Sequence, residues 1–169
     1  MAEAGILGED DRVELIRGEI VEMSPIGPRH SAFVDNLTRL LVRRLPDDAI
    51  VRVQGPVALA DDTEPQPDLT VLRRRPVPYK EREAWAEDAV LVIEVAESSR
   101  AYDRSTKRWL YSEAGIPEYW VVDCAAETVE VHRGPGPEGY RDVRLVTGDS
   151  ELSPQAFPDV QLRTTEIFA

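Results

Sequence analysis

Cysteine, lysine, long apolar runs and net positive charge are all scarce in this chain, and each shortage excludes something. Cys124 is the only cysteine among 169 residues, which rules out an internal disulfide and a thiolate zinc cluster. Placed after an apolar segment with no histidine adjacent, it reads as a small buried hydrophobe rather than a nucleophile. The longest apolar run, Ala89 to Ile93, is stopped by Glu94, far short of the roughly 20 residues that a membrane-spanning helix needs. The start of the chain carries Glu3, Glu9, Asp10 and Asp11 in place of the basic region and apolar core of a signal peptide, so a cytoplasmic protein is expected. Against 32 Asp plus Glu stand only 20 Lys plus Arg, a formal net charge of -12. That balance disfavours a protein that holds nucleic acid by bulk electrostatics.

What is present suits an ordinary globular domain. A 42% hydrophobic and 31% charged composition can bury a real core, and no repeat or Gly/Ser-rich linker divides the chain. One domain over residues 1–169 is expected, with its core at about 12–146.

The coarse pattern is mixed α+β. Arg12 to Met23 suits a hairpin turning at Arg17-Gly18, and Ser24 to Pro28 breaks regular structure. Phe33, Val34, Leu37, Leu40, Leu41 and Leu45 give Arg29 to Leu45 the spacing of an amphipathic helix. Ile50 to Gln54, Pro56 to Leu59 and Asp68 to Leu72 read as strands. Ala89 to Ala96 reads as a strand buried on both faces. A second helix is expected over Asp103 to Ala114, capped by Asp103 or Ser105 and closed by Gly115 and Pro117. Glu118 to Asp123 follows as a buried strand, then a C-terminal hairpin of Thr128 to Arg133 with Tyr140 to Val146. The simplest architecture is a mixed sheet flanked by two main helices. That leaves a sheet face or edge thinly covered, so a homodimer is expected.

Three polar residues do not fit a core. Glu94 lies in an apolar strand, where an ionised carboxylate costs several kcal/mol unless paired or bound to a cation. Asp68 opens the preceding strand; alone it would read as an Asx-turn residue. On adjacent strands the two acids suit a hard divalent cation, since Mg²⁺ is held by one or two carboxylates plus waters. Lys107 shares a helical face with Asp103, Leu110, Tyr111 and Ala114 and so points inward. Of the 20 basic residues only Lys80 and Lys107 are lysine. An inward lysine in an arginine-using chain suggests work an arginine cannot do, such as deprotonating or orienting a water.

Pro67-Asp68, followed one strand later by Ile93-Glu94-Val95, resembles the motif of the PD-(D/E)XK nuclease superfamily. Glu14-Leu15-Ile16-Arg17-Gly18-Glu19, Met23-Ser24-Pro25 with Gly27-Pro28-Arg29-His30, Glu64-Pro65-Gln66-Pro67-Asp68 and Gly115-Ile116-Pro117-Glu118-Tyr119-Trp120-Val121-Val122-Asp123 together resemble the bacterial Uma-type putative restriction endonucleases. The resemblance implies a restriction-endonuclease-like fold and metal-dependent endonuclease activity on DNA. It implies Asp68 and Glu94 as ligands of Mg²⁺ or Mn²⁺, the Val95 carbonyl as a third ligand, and Lys107 as the group that positions the attacking water. One departure stands out: the superfamily lysine two residues after the acid is replaced here by Ala96, and the resemblance to the Uma-type group implies that Lys107 on the following helix takes its role.

Around this site several residues carry two readings. Gln54, on the strand before Asp68, is a candidate site-facing side chain. His30, near a helix start, is a structural histidine or a recruited one; His132 is a strand residue. Tyr102 and Asp103 flank the second helix, with capping by Asp103 the economical explanation. Trp85, Trp109 and Trp120 read as core or interface anchors. Arg73-Arg74-Arg75 is either a solvated loop or a phosphate contact near Asp68. Against the nuclease stands a nuclease fold reduced to an interaction or scaffold module, or a hydrolase with another substrate.

Overall fold

The computed structural model describes residues 12–169; the acidic positions Glu3, Glu9, Asp10 and Asp11 lie outside the described residues. A six-stranded mixed sheet, its strands adjacent in chain order, forms its centre, and two small two-stranded sheets accompany it, β1 (Val13–Ile16) with β2 (Glu19–Glu22) and β9 (Glu151–Leu152) with β10 (Leu162–Arg163). The strands of the central sheet are β3 (Ala49–Val53), β4 (Leu69–Arg73), β5 (Ala89–Ala96), β6 (Glu118–Asp123), β7 (Thr128–Arg133) and β8 (Asp142–Val146). β5 and β6 are parallel and every other pair in the sheet is antiparallel.

One helix covers each face. α1 (Pro28–Arg44) starts with Gly27 at the N-cap and Pro28 in its first turn, where a missing N–H costs nothing. It buries Phe33, Val34, Leu37, Leu40 and Leu41 against Leu69, Val71, Ile93, Val95, Trp120 and Val122. The opposite face carries Val92, Ala96, Tyr119 and Val121, packed with Tyr111 and Ile116. Alternation along β5 therefore decides the face on which Glu94 emerges: with Val92 and Ala96, toward the second helical segment.

That segment is not the single α-helix that periodicity predicts. It begins at α2 (Arg100–Tyr102), widens into a π-helical turn (Asp103–Lys107) and continues as α3 (Arg108–Glu113). The Arg108 N–H reaches back to the Asp103 carbonyl, which also accepts the Tyr119 hydroxyl at 3.1 Å. A side-chain donor at the helix ladder is a recognised cause of such widening. Asp103 and Ser105 are thus interior to the helix and neither caps it, correcting the expected boundary. Gly115, at φ +77°, does take the left-handed position that closes the helix.

Two other expectations change. Pro56 to Leu59 is no strand; it contributes one isolated bridge, Ala58 to Trp85, because its backbone is drawn into loop contacts. The last pairing, β7 with β8, is part of the central sheet. The chain then adds β9 (Glu151–Leu152), β10 (Leu162–Arg163) and α4 (Thr164–Ile167), whose Leu152, Leu162 and Ile167 complete the core beneath α1. No helix among the described residues is long and apolar enough to cross a membrane.

Candidate active site

Topology brings the acids together. β4 runs antiparallel to β5 with Leu69 opposite Ile93; continuing that register by one residue sets Asp68 opposite Glu94. The parallel step from β5 to β6 then requires a crossover, and the helical segment that makes it starts just past the same end of the sheet. Asp68, Glu94, Val95, Tyr102, Asp103 and Lys107 line one cavity of about 340 Å³ there. Its opposite wall is the N-terminal hairpin, β1 (Val13–Ile16) and β2 (Glu19–Glu22), with the segment Met23 to Ile26.

Each acid is held. Asp68 Oδ2 accepts the Val95 N–H at 2.8 Å, and Oδ1 lies 3.0 Å from His30 Nε2. Glu94 Oε1 accepts from Lys107 Nζ and from the Tyr111 hydroxyl, both at 2.8 Å. Lys107 Nζ also donates to Glu14 Oε1 at 2.8 Å. Glu14, Asp68, Glu94, Asp103 and Lys107 are all buried, so four carboxylates share one enclosed region with a single ammonium.

The charge excess shows in the titration of the group at its centre. Burial pushes the Glu94 carboxyl up to about 8; Asp103, Asp68 and Glu14 add to the rise and Lys107 opposes it. Burial likewise raises Asp103, with Lys107 and the Ser99 hydroxyl opposing. For Lys107 burial disfavours the charge, but Glu94, Glu14 and Asp103 outweigh it and hold the ammonium above its ordinary value. Lys107 is thus held as an ammonium, a form that can orient a water and cannot deprotonate one.

The donor set suits a hard divalent cation. Among the described residues no three His, Cys, Asp or Glu side chains form a ready-made cage, but Mg²⁺ does not need one, being held by one or two carboxylates and water. Surplus buried negative charge and the Tyr102 hydroxyl, buried at the cavity with no partner among the described residues, are what such an ion and its waters would satisfy.

Other expected site residues are placed elsewhere. Gln54 does not line the cavity; at φ 47° it supports the site through its backbone, donating its N–H to the Asp68 carbonyl at 2.9 Å and accepting from Gln66 Nε2. The arginine triplet lies at the far end of β4 from Asp68, about 17 Å away at ~3.3 Å per strand residue. Arg75 is spent on Asp88 at 2.6 Å and stacks over Tyr79. No residue of the triplet lines the cavity. His30, by contrast, is drawn into the site from the first turn of α1.

Glu14 is a cavity-lining position that sequence reasoning missed. In β1 it is Glu14 and Ile16 that are buried, while Val13 and Leu15 are only half-buried. Its shared parity with Ile16 is the signal that was available.

Residues 3–165 match the Uma2 family, described as putative restriction endonuclease. The chain belongs to that family. No curated protein sequence matches it. Among solved structures it is similar to a putative nuclease belonging to DUF820 from Anabaena variabilis, with a TM-score of 0.78 at 18% identity, covering 98% of this chain and 94% of that one. At that identity the likeness establishes the fold. The Uma2 segment Gly115 to Asp123 serves folding: Tyr119, Trp120, Val121 and Val122 are core, and Glu118 accepts from Trp120 Nε1 and Arg133 Nε. Glu14, His30, Asp68 and Glu94, with Lys107, are among the residues that line the cavity.

Proposed function

We propose that this protein is a metal-dependent endonuclease that hydrolyses phosphodiester bonds, with DNA as its substrate. The observation that carries the reading is the placement of Asp68 opposite Glu94, with the Lys107 ammonium on Glu94, in one cavity at a sheet end. Family membership supports the same reaction class. Asp68, Glu94 and the Val95 carbonyl would hold Mg²⁺ or Mn²⁺, which would supply Lewis-acid activation of water and charge stabilisation at the phosphoryl group.

The chain's own residues then do three things. His30 and the Val95 N–H fix the Asp68 carboxylate, so its free lone pairs keep one direction. Tyr111 and Lys107 do the same for Glu94. The ammonium, kept protonated, orients the attacking water and offsets charge as the water oxygen bonds to phosphorus. The water oxygen releases a proton to bulk solvent as it bonds to phosphorus, and the bond from phosphorus to the leaving ester oxygen breaks as that oxygen takes up a proton from solvent. No covalent enzyme intermediate is required.

A second reading, an inactive nuclease fold serving as an interaction module, is favoured by the net charge of -12 and by an arginine triplet remote from the cavity. A homodimer belongs to both readings: β8 is an outer strand of the sheet and exposes Val143 and Leu145.

The deciding experiment incubates purified protein with single-stranded DNA, duplex DNA or RNA in Mg²⁺ or Mn²⁺, beside Asp68→Ala, Glu94→Ala and Lys107→Ala. The nuclease reading expects metal-dependent cleavage lost in all three variants. Absence of cleavage in every condition, with the protein folded, selects the interaction module.

A further inference from the structure

We propose that Glu14 is a positioning residue for Lys107: a second carboxylate, supplied by the N-terminal hairpin, that fixes the direction of the ammonium. What Lys107 does for a substrate rests on the nuclease reading; how it is held does not. Glu14 lies 93 residues before Lys107 in sequence, on a two-stranded hairpin that is otherwise largely half-buried or exposed. It is nonetheless 4% exposed. Its Oε1 accepts from Lys107 Nζ at 2.8 Å and from the Gln66 backbone N–H at 2.8 Å.

The chemistry of an ammonium makes this a directional clamp. Lys107 has three N–H donors on a flexible four-carbon stem. One contact, to Glu94, would leave the head free to swing about it. Two contacts, to Glu94 and Glu14 at 2.8 Å each, fix the tetrahedral head and leave one N–H direction, in a residue that lines the cavity. Gln66 anchors the second clamp and stands two residues before Asp68, so hairpin, Asp68 approach and lysine are tied at one oxygen.

Docking of the hairpin does not explain the carboxylate. The hairpin is already joined to the body through backbone pairs, Leu15 with Glu64 in both directions and the Gly18 N–H to the Asp62 carbonyl. An apolar residue in phase with Ile16 would bury at lower cost than a charged one. The charge at position 14 is needed where the ammonium is.

The scarcity of lysine gives a direct test. In full-length protein carrying ¹⁵N-lysine, only Lys80 and Lys107 have side-chain ammonium resonances, and Lys80 is exposed, where its protons exchange rapidly with water. Wild type should show one slowly exchanging ammonium resonance, assigned by its loss in Lys107→Arg. Glu14→Gln keeps the size and an acceptor oxygen but removes the charge. It should fold with a melting temperature close to wild type, lose or broaden that resonance, and cut single-stranded DNA in Mg²⁺ about 10²-fold more slowly in kcat with KM unchanged, the scale of a misplaced reacting group. Glu14→Asp should restore part of both signals.

Retention of the resonance at its wild-type position and exchange rate in Glu14→Gln overturns the proposal. So does its absence from wild type, or unfolding of both Glu14 variants, which would make the residue structural. If wild type cleaves nothing, the nuclease reading falls while the resonance still decides the clamp.

Discussion

The Lys107 ammonium lies 2.8 Å from Glu94 Oε1 on the same buried face of the sheet, yet three further carboxylates, Asp103, Asp68 and Glu14, push the Glu94 carboxyl the other way. The site thus holds a carboxylate that folding alone does not favour. Glu94→Gln keeps an acceptor for Lys107 and Tyr111 and cannot ionise. It should leave the metal-free protein as stable as wild type or stabilise it by ~1 kcal/mol at neutral pH, while abolishing cleavage and stabilisation by Mg²⁺. The pH dependence has a definite sign. A carboxyl raised from 4.5 to about 8 on folding binds more protons folded than unfolded, so its contribution is fully present below pH 4.5 and is lost as pH rises through about 8. Urea unfolding of both proteins at pH 6 and pH 9 checks this; a steeper loss in the Gln variant would refute it.

Asp68 is oriented from outside by His30, at 3.0 Å from α1. Partners of metal-binding carboxylates typically contribute 10–100-fold in affinity. His30→Ala should weaken Mn²⁺ binding by about that factor, measured by calorimetry, with a melting temperature near wild type. Unchanged affinity would return His30 to a structural role.

His132 predicts acid sensitivity. It is fully buried, stacked with Tyr119, and neither ring nitrogen has a hydrogen-bond partner among the described residues, Glu130 at 3.3 Å from Nε2 being poorly aligned. Burial, then Arg108 and Arg104, push it down to about 4 from 6.5. The unfolded chain then binds more protons between those values, so the stabilisation is complete above pH 6.5 and is lost as pH falls toward 4, by ~3 kcal/mol in all. His132→Phe should flatten the stability profile between pH 6.5 and 4. A variant as acid-sensitive as wild type would contradict it.

Arg75 separates folding from binding within the triplet. Its pair with Asp88 is about nine-tenths buried on both sides. Arg75→Ala would strand that carboxylate and should cost about 3 kcal/mol. The double variant Arg73→Ala, Arg74→Ala, at exposed positions, should change stability by less than ~0.5 kcal/mol. Neither should alter the metal affinity of the cavity, which lies at the other end of β4; a change in either would place the triplet nearer the chemistry than β4 allows.

Much of this is legible in the chain because its signals are local. The α1 spacing from Phe33 to Leu41, the apolar run Ala89 to Ile93 of β5, and Gly115 followed by Pro117 each act within one element, where backbone sterics and burial of a stripe decide the outcome. Asp68 and Glu94 stand out for the same reason, as charges where a strand should be apolar. Pro56 to Leu59 and the Asp103 boundary mislead because non-local partners, Trp85 and the Tyr119 hydroxyl, decide them.

Sequence by itself determined which residues are out of place: two carboxylates in apolar strands and one inward lysine in a chain of arginines. Tertiary structure alone decided their company. The antiparallel register that sets Asp68 opposite Glu94, the π-helical turn that ends at Lys107 and the hairpin phase that turns Glu14 inward each depend on contacts between segments tens of residues apart. Patterning within a segment says which face is buried, but a buried carboxylate is stable only against a particular partner, and which partner arrives is settled by the packing of the whole sheet.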